Sequence, residues 1–336
     1  MIGAARRVGA AIRSRLRRIR AAHEHPRRRH APARQPHGDR VLVTGWFSWS
    51  DQAVTAGDLL TRDVTCRWLR DAGRSYDVAN APDFGEGVNW REVDPGRYSD
   101  AIFVCGPVEA GDRRLEYLLQ RFGGSRWTGL NVSMLRPLER SNLFDVLIER
   151  DSSARTRPDL AYVSHDRAVP VIGVVLVERY GPEYPEHDRQ GEARAAITRL
   201  LDARAAARID IDTRLKANET RLRSAAEVES VIAGMDVVVT TRLHGLVLAL
   251  KHGVPALAID PVACGAKIAK QAAAVGWPVV RTGDALDHED LNAALDYCLT
   301  DEARDLARAC AARADTALDD VRREFVAALG RDGGPA

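Results

Sequence analysis

Asp236-Val-Val-Val-Thr-Thr-Arg-Leu-His-Gly245 runs from a β-branched strand into a helix with almost no loop between them. Leu243 to His252 continues as the helix, Gly253-Val-Pro255 stops it, and Ala256-Leu-Ala-Ile259 is a second apolar strand. A strand, a tight junction, a helix and a further strand form the repeating unit of a parallel α/β sheet. Val171-Ile-Gly-Val-Val-Leu-Val177, upstream, is nearly continuous in apolar residues, as a strand covered on both faces must be. Between them lie a helical pattern over Gly191–Ala207, a short alternating strand over Arg208–Asp212 and a helix over Ser224–Met235. Ser224 and Glu227 have the spacing of a capping box. Lys267–Val275, Leu286–Leu299 and Asp301–Leu329 read as the remaining helices.

The same alternation is present nearer the N-terminus. Arg40-Val-Leu-Val-Thr44 is a strand, Asp51–Asp71 a helix stopped by Gly73, and Ser99–Cys105 a buried strand ending at Gly106-Pro107. Leu115–Phe122 is helical, and Thr128–Ser133 and Asn142–Glu149 are strand-like. Arg155–Val169 is polar and carries Pro158, as a linker would. At about 150 residues per domain, 336 residues make roughly two domains. The expected fold is α/β, with two facing, doubly wound, Rossmann-like domains. The expected boundaries are a basic arm at 1–39, an N-terminal domain at 40–165 and a C-terminal domain at 166–330.

Charge divides the chain differently. Residues 1–40 hold twelve arginines against Glu24 and Asp39, whereas the rest carries a net charge of −8. An acidic body does not suit a nucleic-acid groove, which needs excess positive charge on the folded part. In the arm, Val8, Ile12, Leu16 and Ile19 fall on one helical stripe with arginines around them. Such a helix suits an anionic bilayer surface, reached through residues 1–38, and a solvated arm is the other reading. Arg6-Arg7 is followed by no apolar segment long enough for an export signal, because Arg13 interrupts it. Five scattered cysteines, with no CxxC or Cys/His spacing, fit small buried hydrophobes in a reducing cytoplasm. No metal ligand set and no glycine-rich dinucleotide or Walker loop is present.

In open parallel sheets ligands bind beyond the carboxyl ends of the strands. At the end of Val237–Thr241, Thr240 or Thr241 is placed to cap the helix, whose N-terminus carries partial positive charge. Arg242 adds a guanidinium matched to carboxylate or phosphate, and His244 adds a group able to move a proton near neutral pH. Gly245 keeps the backbone open to close approach. Together these make an anion site with an acid/base group beside it. The structural reading of the same residues is Arg242 paired with a nearby aspartate and His244 in the core.

Thr241-Arg-Leu-His-Gly-Leu-Val-Leu-Ala-Leu250, followed by Gly253-Val-Pro255 and Ala256–Asp260, resembles the signature of the polysaccharide pyruvyl transferases. Arg150-Asp-Ser-Ser153 and Pro158-Asp-Leu-Ala-Tyr162 resemble the middle segment of that family, and Ala56-Gly-Asp58 a shorter early motif. The resemblance implies a GT-B-like fold and transfer of the enolpyruvyl unit of phosphoenolpyruvate to sugar hydroxyls as a ketal, with release of phosphate. It implies phosphoenolpyruvate binding by Arg242, Leu243 and His244, and no cofactor beyond that donor. The acceptor is then a glycan or a lipid-linked sugar. On this reading His244 is the acid/base, Arg242 and Arg150 bind the anion, and Asp58 and Asp151 address the acceptor hydroxyls. For Arg150 and Asp151 a structural ion pair is the competing reading.

Cys105-Gly-Pro107 stands where the family often has a glycine cluster, and the loop Gly45-Trp-Phe-Ser-Trp49 is aromatic. Trp46 and Trp49 either stack on a sugar or plug the core. Asp210-Ile-Asp212 matches the metal-binding Asp-x-Asp of other transferases, a common tripeptide that a GT-B fold does not use. His187 and His252 have no spaced partners. Two other functions share the fold. One is a GT-B glycosyltransferase using a nucleotide sugar, which calls for a ribose-gripping carboxylate soon after the second-domain glycine motif, where Asp260 sits in a different pattern. The other is a non-catalytic binding protein.

Overall fold

A computed structural model describes residues 37–164, 168–176, 188–216, 218, 220–262 and 267–329. The amphipathic stripe of the arm, His187 and Cys264 lie outside the described residues. The chain divides into two compact units, Met1–Asp166 and Arg167–Ala336.

The N-terminal unit holds β1 (Arg40–Gly45), α1 (Ala56–Asp71), β2 (Tyr76–Val78), β3 (Tyr98–Val104), α2 (Arg113–Arg121), β4 (Arg126–Leu130), the single turn α3 (Leu138–Ser141) and β5 (Val146–Ile148). All the strands pair in parallel, in the order β2-β1-β3-β4-β5. The C-terminal unit holds β6 (Val171–Val175), α4 (Gln190–Asp202), β7 (Ala207–Asp210), α5 (Ala225–Ala233), β8 (Val237–Thr240), α6 (Leu243–Lys251), β9 (Ala256–Asp260), α7 (Lys267–Val275), β10 (Val280–Thr282), α8 (His288–Cys298) and α9 (Asp301–Leu329). Its sheet is also all parallel, ordered β10-β9-β8-β6-β7. Counted within each unit, both sheets have the order 2-1-3-4-5 of a doubly wound fold. Each unit is therefore Rossmann-like, and two such domains in one chain are the make-up of a GT-B-like protein.

The strand order fixes where each sheet reverses its winding, between β1 and β3 in the first unit and between β6 and β8 in the second. At such a point the neighbouring loops run to opposite faces and leave a crevice at the carboxyl ends. Strands flanking the switch points are deeply buried: Leu42, Val43, Phe103 and Val104 in one sheet, Val237, Val238 and Val239 in the other. Burying each such side chain contributes about 1.5–3 kcal/mol, so the loops at these ends are anchored in the core of each unit.

Several boundaries differ from those expected. α1 begins at Ala56 instead of Asp51, because Thr55 and Asp58 form a reciprocal capping box that starts the helix there. β4 ends at Leu130, since Asn131 turns into the left-handed region at φ 56°. β5 occupies only Val146–Ile148, because Asn142 caps the turn Leu138–Ser141 and its side chain accepts the Phe144 N–H, which keeps the residues before Val146 out of the strand. β2 and β10, three residues each, were not expected, and both are edge strands with only half-buried residues. Cys66, Cys105 and Cys298 are buried, and burial pushes their thiols up to about 11, 11 and 12. Protonated thiols are poor nucleophiles, as the small-hydrophobe reading requires.

Candidate functional site

The junction after β8 is built by Thr240. Its hydroxyl oxygen accepts the N–H of Arg242 at 2.9 Å and lies 3.0 Å from the Val175 carbonyl at the end of β6. One side chain thereby ties both strands of the switch point to the turn. The sequence offers Thr240 or Thr241 as the cap of α6, and Thr240 takes a different part. It holds the residue in the N-cap position, Arg242, whose carbonyl accepts the first helical bonds from Gly245 and Leu246. The N–H groups of Leu243 and His244 precede those bonds and lie at the positive end of the helix.

Gly245 is required by this packing. A Cβ there would lie 2.1 Å from the Thr240 hydroxyl oxygen and 3.0 Å from Val175 Cγ1, both inside the buried core. The close approach is therefore made by the protein's own threonine. Gly245→Ala is expected to destabilise the fold by about 1–3 kcal/mol, the usual cost of overpacking a core. Thermal denaturation checks this, and an unchanged melting temperature would contradict the packing.

Arg242 reaches across the switch point. Its Nε donates to the Leu176 carbonyl, just past β6, at 2.8 Å, and Nη2 lies 3.5 Å from Asp212 Oδ1. Both side chains are largely buried, at 16% and 13% exposed. Asp212 also accepts from the Arg214 side chain and backbone N–H. Burial alone would raise its carboxyl, but the Arg214 hydrogen bonds and the Arg242 charge outweigh this and hold it below the ordinary aspartate value. The guanidinium is thus fixed by one carbonyl and one ionised carboxylate, while its Nη1 has no hydrogen-bond partner among the described residues. Leu176 and Asp212 also line a pocket of about 430 Å³, together with Arg194, Asp210 and Thr220. His244 stands one turn-step on, exposed, with no partner among the described residues. It is not a core histidine. Leu243 is half-buried against the core.

Residues 153–261 match the polysaccharide pyruvyl transferase family. The pyruvyl transferase-like segment therefore includes Arg242, Leu243, His244 and Asp260, and it begins just after Arg150 and Asp151. No curated protein sequence matches the chain significantly. Among solved structures, the glycotransferase of kitacinnamycin is 12% identical, with 87% of this chain and 99% of that chain covered and a TM-score of 0.31. The UDP-GlcNAc 2-epimerase of Methanocaldococcus jannaschii is 10% identical, with coverage of 78% and 93% and a TM-score of 0.29. MurG of Acinetobacter baumannii is 11% identical, with coverage of 82% and 94% and a TM-score of 0.28. At these scores they add nothing to what the two sheets already establish.

Within the pyruvyl transferase-like segment, Asp260 is not available to a ribose. It is buried, and its Oδ2 accepts the N–H groups of Ile268 and Ala269 at 3.1 and 3.2 Å, capping α7. Among the described residues, the carboxylates that line the pocket with Leu176 are instead Asp210, at the end of β7, and Asp212. In the sequence both belong to an Asp-x-Asp tripeptide, a metal motif that a GT-B fold does not use. The overlooked signal was their place at the end of the second strand of a doubly wound sheet. Among the described residues, no three His, Cys, Asp or Glu side chains are grouped to hold a metal ion.

The residues named in the N-terminal unit are occupied by their own neighbours. Asp58 accepts the N–H and hydroxyl of Thr55, both at 2.8 Å, as the far half of the capping box. Arg150 donates to Asp151 and Asp159 at 2.7 Å each, and to the Ser133 hydroxyl. Asp151 accepts from Ser133 as well, at 2.9 Å. The Arg150 hydrogen bond, above burial, sets the Asp151 carboxyl below its ordinary value of 3.8. Asp159 is raised by burial, but the Ala161 N–H and Arg150 overcome this and lower it too. Carboxylates lowered by folding stabilise above their unfolded pKa, and that stability is lost as pH falls through the folded one. The stability difference between wild type and Arg150→Met is therefore expected to be full above about pH 5 and to shrink below 3.8. Denaturant titrations at pH 7 and pH 3 check this, and a difference independent of pH would contradict the network.

Trp49 is buried, packed edge-on to Trp90, and Trp46 is edge-on to Phe103 with its indole N–H donated to the Pro107 carbonyl at 3.3 Å. These rings plug the crevice between the loops after β1 and β3. His252 lies 3.4 Å from Glu229 on the surface. No described helix is long and apolar enough to cross a membrane.

Proposed function

We propose that the chain is a transferase that moves a group from an anionic donor onto a sugar acceptor, and that the donor is phosphoenolpyruvate. The observation that carries this reading is Arg242, held across the switch point of the C-terminal sheet inside the segment that matches the pyruvyl transferase family. A small substrate that carries both a carboxylate and a phosphate needs a rigid guanidinium and free helix N–H groups at one place, and Arg242, Leu243 and His244 supply them. Holding the guanidinium by Leu176 and Asp212 removes the reorganisation that binding would otherwise require.

On this reading His244 protonates C3 of phosphoenolpyruvate, leaving an oxocarbenium-like C2. A sugar hydroxyl adds to C2 and returns its proton to the imidazole. A second hydroxyl then displaces the phosphate from C2, closing a cyclic ketal, and its proton leaves with the phosphate or to water. Arg242 stabilises negative charge on the carboxylate and on the departing phosphate. In the N-terminal unit a pocket of about 610 Å³ follows β1 and β2, lined by Ser48, Ser50, Asn80, Glu86, Asn89 and Arg91. Hydroxyl, amide and charged groups of this kind suit a sugar acceptor.

A nucleotide sugar is the second reading, and one observation favours it. Asp210 sits at the end of β7, where doubly wound sheets grip a ribose, and lines the pocket beside Arg242. Thermal denaturation with phosphoenolpyruvate or with UDP-sugars separates the two, because a ligand at 100 times its Kd stabilises by about 2.7 kcal/mol. Phosphoenolpyruvate is expected to stabilise wild type and Asp210→Asn alike. Stabilisation by a UDP-sugar alone, lost in Asp210→Asn, would overturn the proposal.

A further inference from the structure

The last helix outruns the domain it belongs to. α9 spans 29 residues, and its buried positions, Ala303, Ala307 and Cys310, all fall in its first third. Arg313 still bonds the Val275 carbonyl, and from Asp315 onward every residue is exposed. The inward stripe does not turn polar there. Leu318, Val321, Phe325 and Leu329 continue it at helical spacing, exposed by 58%, 55%, 62% and 66%. An isolated helical stretch as short as the exposed part, residues 315–329, is marginal in water, and a stripe this apolar calls for a partner.

Taking Leu318 as an a position, Ala311, Ala314, Leu318, Val321, Phe325 and Ala328 occupy consecutive a and d positions of a heptad seam about 26 Å long. Two copies running antiparallel place Leu318 against Val321, and the large Phe325 against the small Ala314, in every central layer. The flanks agree with that direction. Antiparallel e positions face each other, which brings Asp315 of each helix to Arg322 of the other and makes two opposite-charge pairs. On the other flank Glu324 meets only Ala317. A parallel pair makes neither contact and sets Phe325 against itself. Within its own helix Arg322 has only an exposed pair with Asp319 at 3.4 Å, which costs little to exchange.

We propose that residues 314–329 are a self-association surface, pairing two copies of this chain through an antiparallel helix–helix seam. The test is sedimentation velocity of the full chain across a concentration series, with variants at exposed positions that the fold does not need. Wild type is expected to dimerise reversibly, and Phe325→Asp to weaken the dimer at least tenfold. Asp315→Arg and Arg322→Asp are each expected to weaken it, and the double exchange to restore it. A monomer at every concentration would overturn the proposal. So would a dimer indifferent to Phe325→Asp, or a double exchange that fails to restore pairing. Two other occupants have distinct signatures, and either would also overturn it: monomers whose α9 amides lose protection only when residues 1–36 are removed, or association of α9 only with anionic vesicles.

Discussion

Arg242→Ala is expected to weaken phosphoenolpyruvate binding by one to two orders of magnitude, and to lower kcat/KM by at least as much. Hydrogen bonds to a charged group are worth about 1.5–3 kcal/mol each, which is roughly a 10- to 150-fold change in affinity. The side chain is held by the Leu176 carbonyl and Asp212 in a largely buried position, so its guanidinium is placed for an anion before binding. Asp212 keeps Arg214, so removing Arg242 does not strand a buried carboxylate, and the fold is expected to survive. Arg242→Lys is expected to fall between the two. It keeps the charge but loses the planar fork that serves Leu176 and an anion together. Titration calorimetry with each variant measures the effect, and undiminished affinity in Arg242→Ala would exclude the assigned role.

His244→Ala is expected to behave differently, with kcat reduced by about 10²–10⁴-fold and donor affinity nearly unchanged. The imidazole is exposed and makes no contact that the fold depends on, so stability is expected to be unaffected. An interaction made only in the transition state lowers kcat and kcat/KM together, whereas lost ground-state binding raises KM. Steady-state kinetics on the variant decides between these. Equal losses in binding and turnover would make His244 a ligand, with the proton supplied elsewhere.

The parts of this account that were legible in the sequence are those governed by local patterns. Val237–Thr240 and Val171–Val175 are strands because β-branched residues run together, and α6 begins where Arg242 leaves the strand. Periodicity could not reach the contacts that cross the sheet. Nothing in the neighbourhood of Arg242 announces that Leu176 and Asp212 hold it, because the strand order brings together segments far apart in the chain. The same order sets Asp210 at the end of the strand paired with β6, a placement that the alternating strand Arg208–Asp212 does not reveal by itself. Arg150 shows the converse. Its charge and family resemblance suggested a ligand, whereas three neighbours engage its guanidinium in the folded unit. The short edge strands β2 and β10 escaped notice because three half-buried residues carry too little apolar signal to stand out.

On the proposed reading, the guanidinium at the β8–α6 junction binds phosphoenolpyruvate. Calorimetric titration of the wild-type chain with phosphoenolpyruvate, and in parallel with a UDP-sugar, tests it most directly. Saturable binding of phosphoenolpyruvate that disappears in Arg242→Ala is the expected result. No heat with phosphoenolpyruvate, alongside saturable binding of the UDP-sugar, would contradict it.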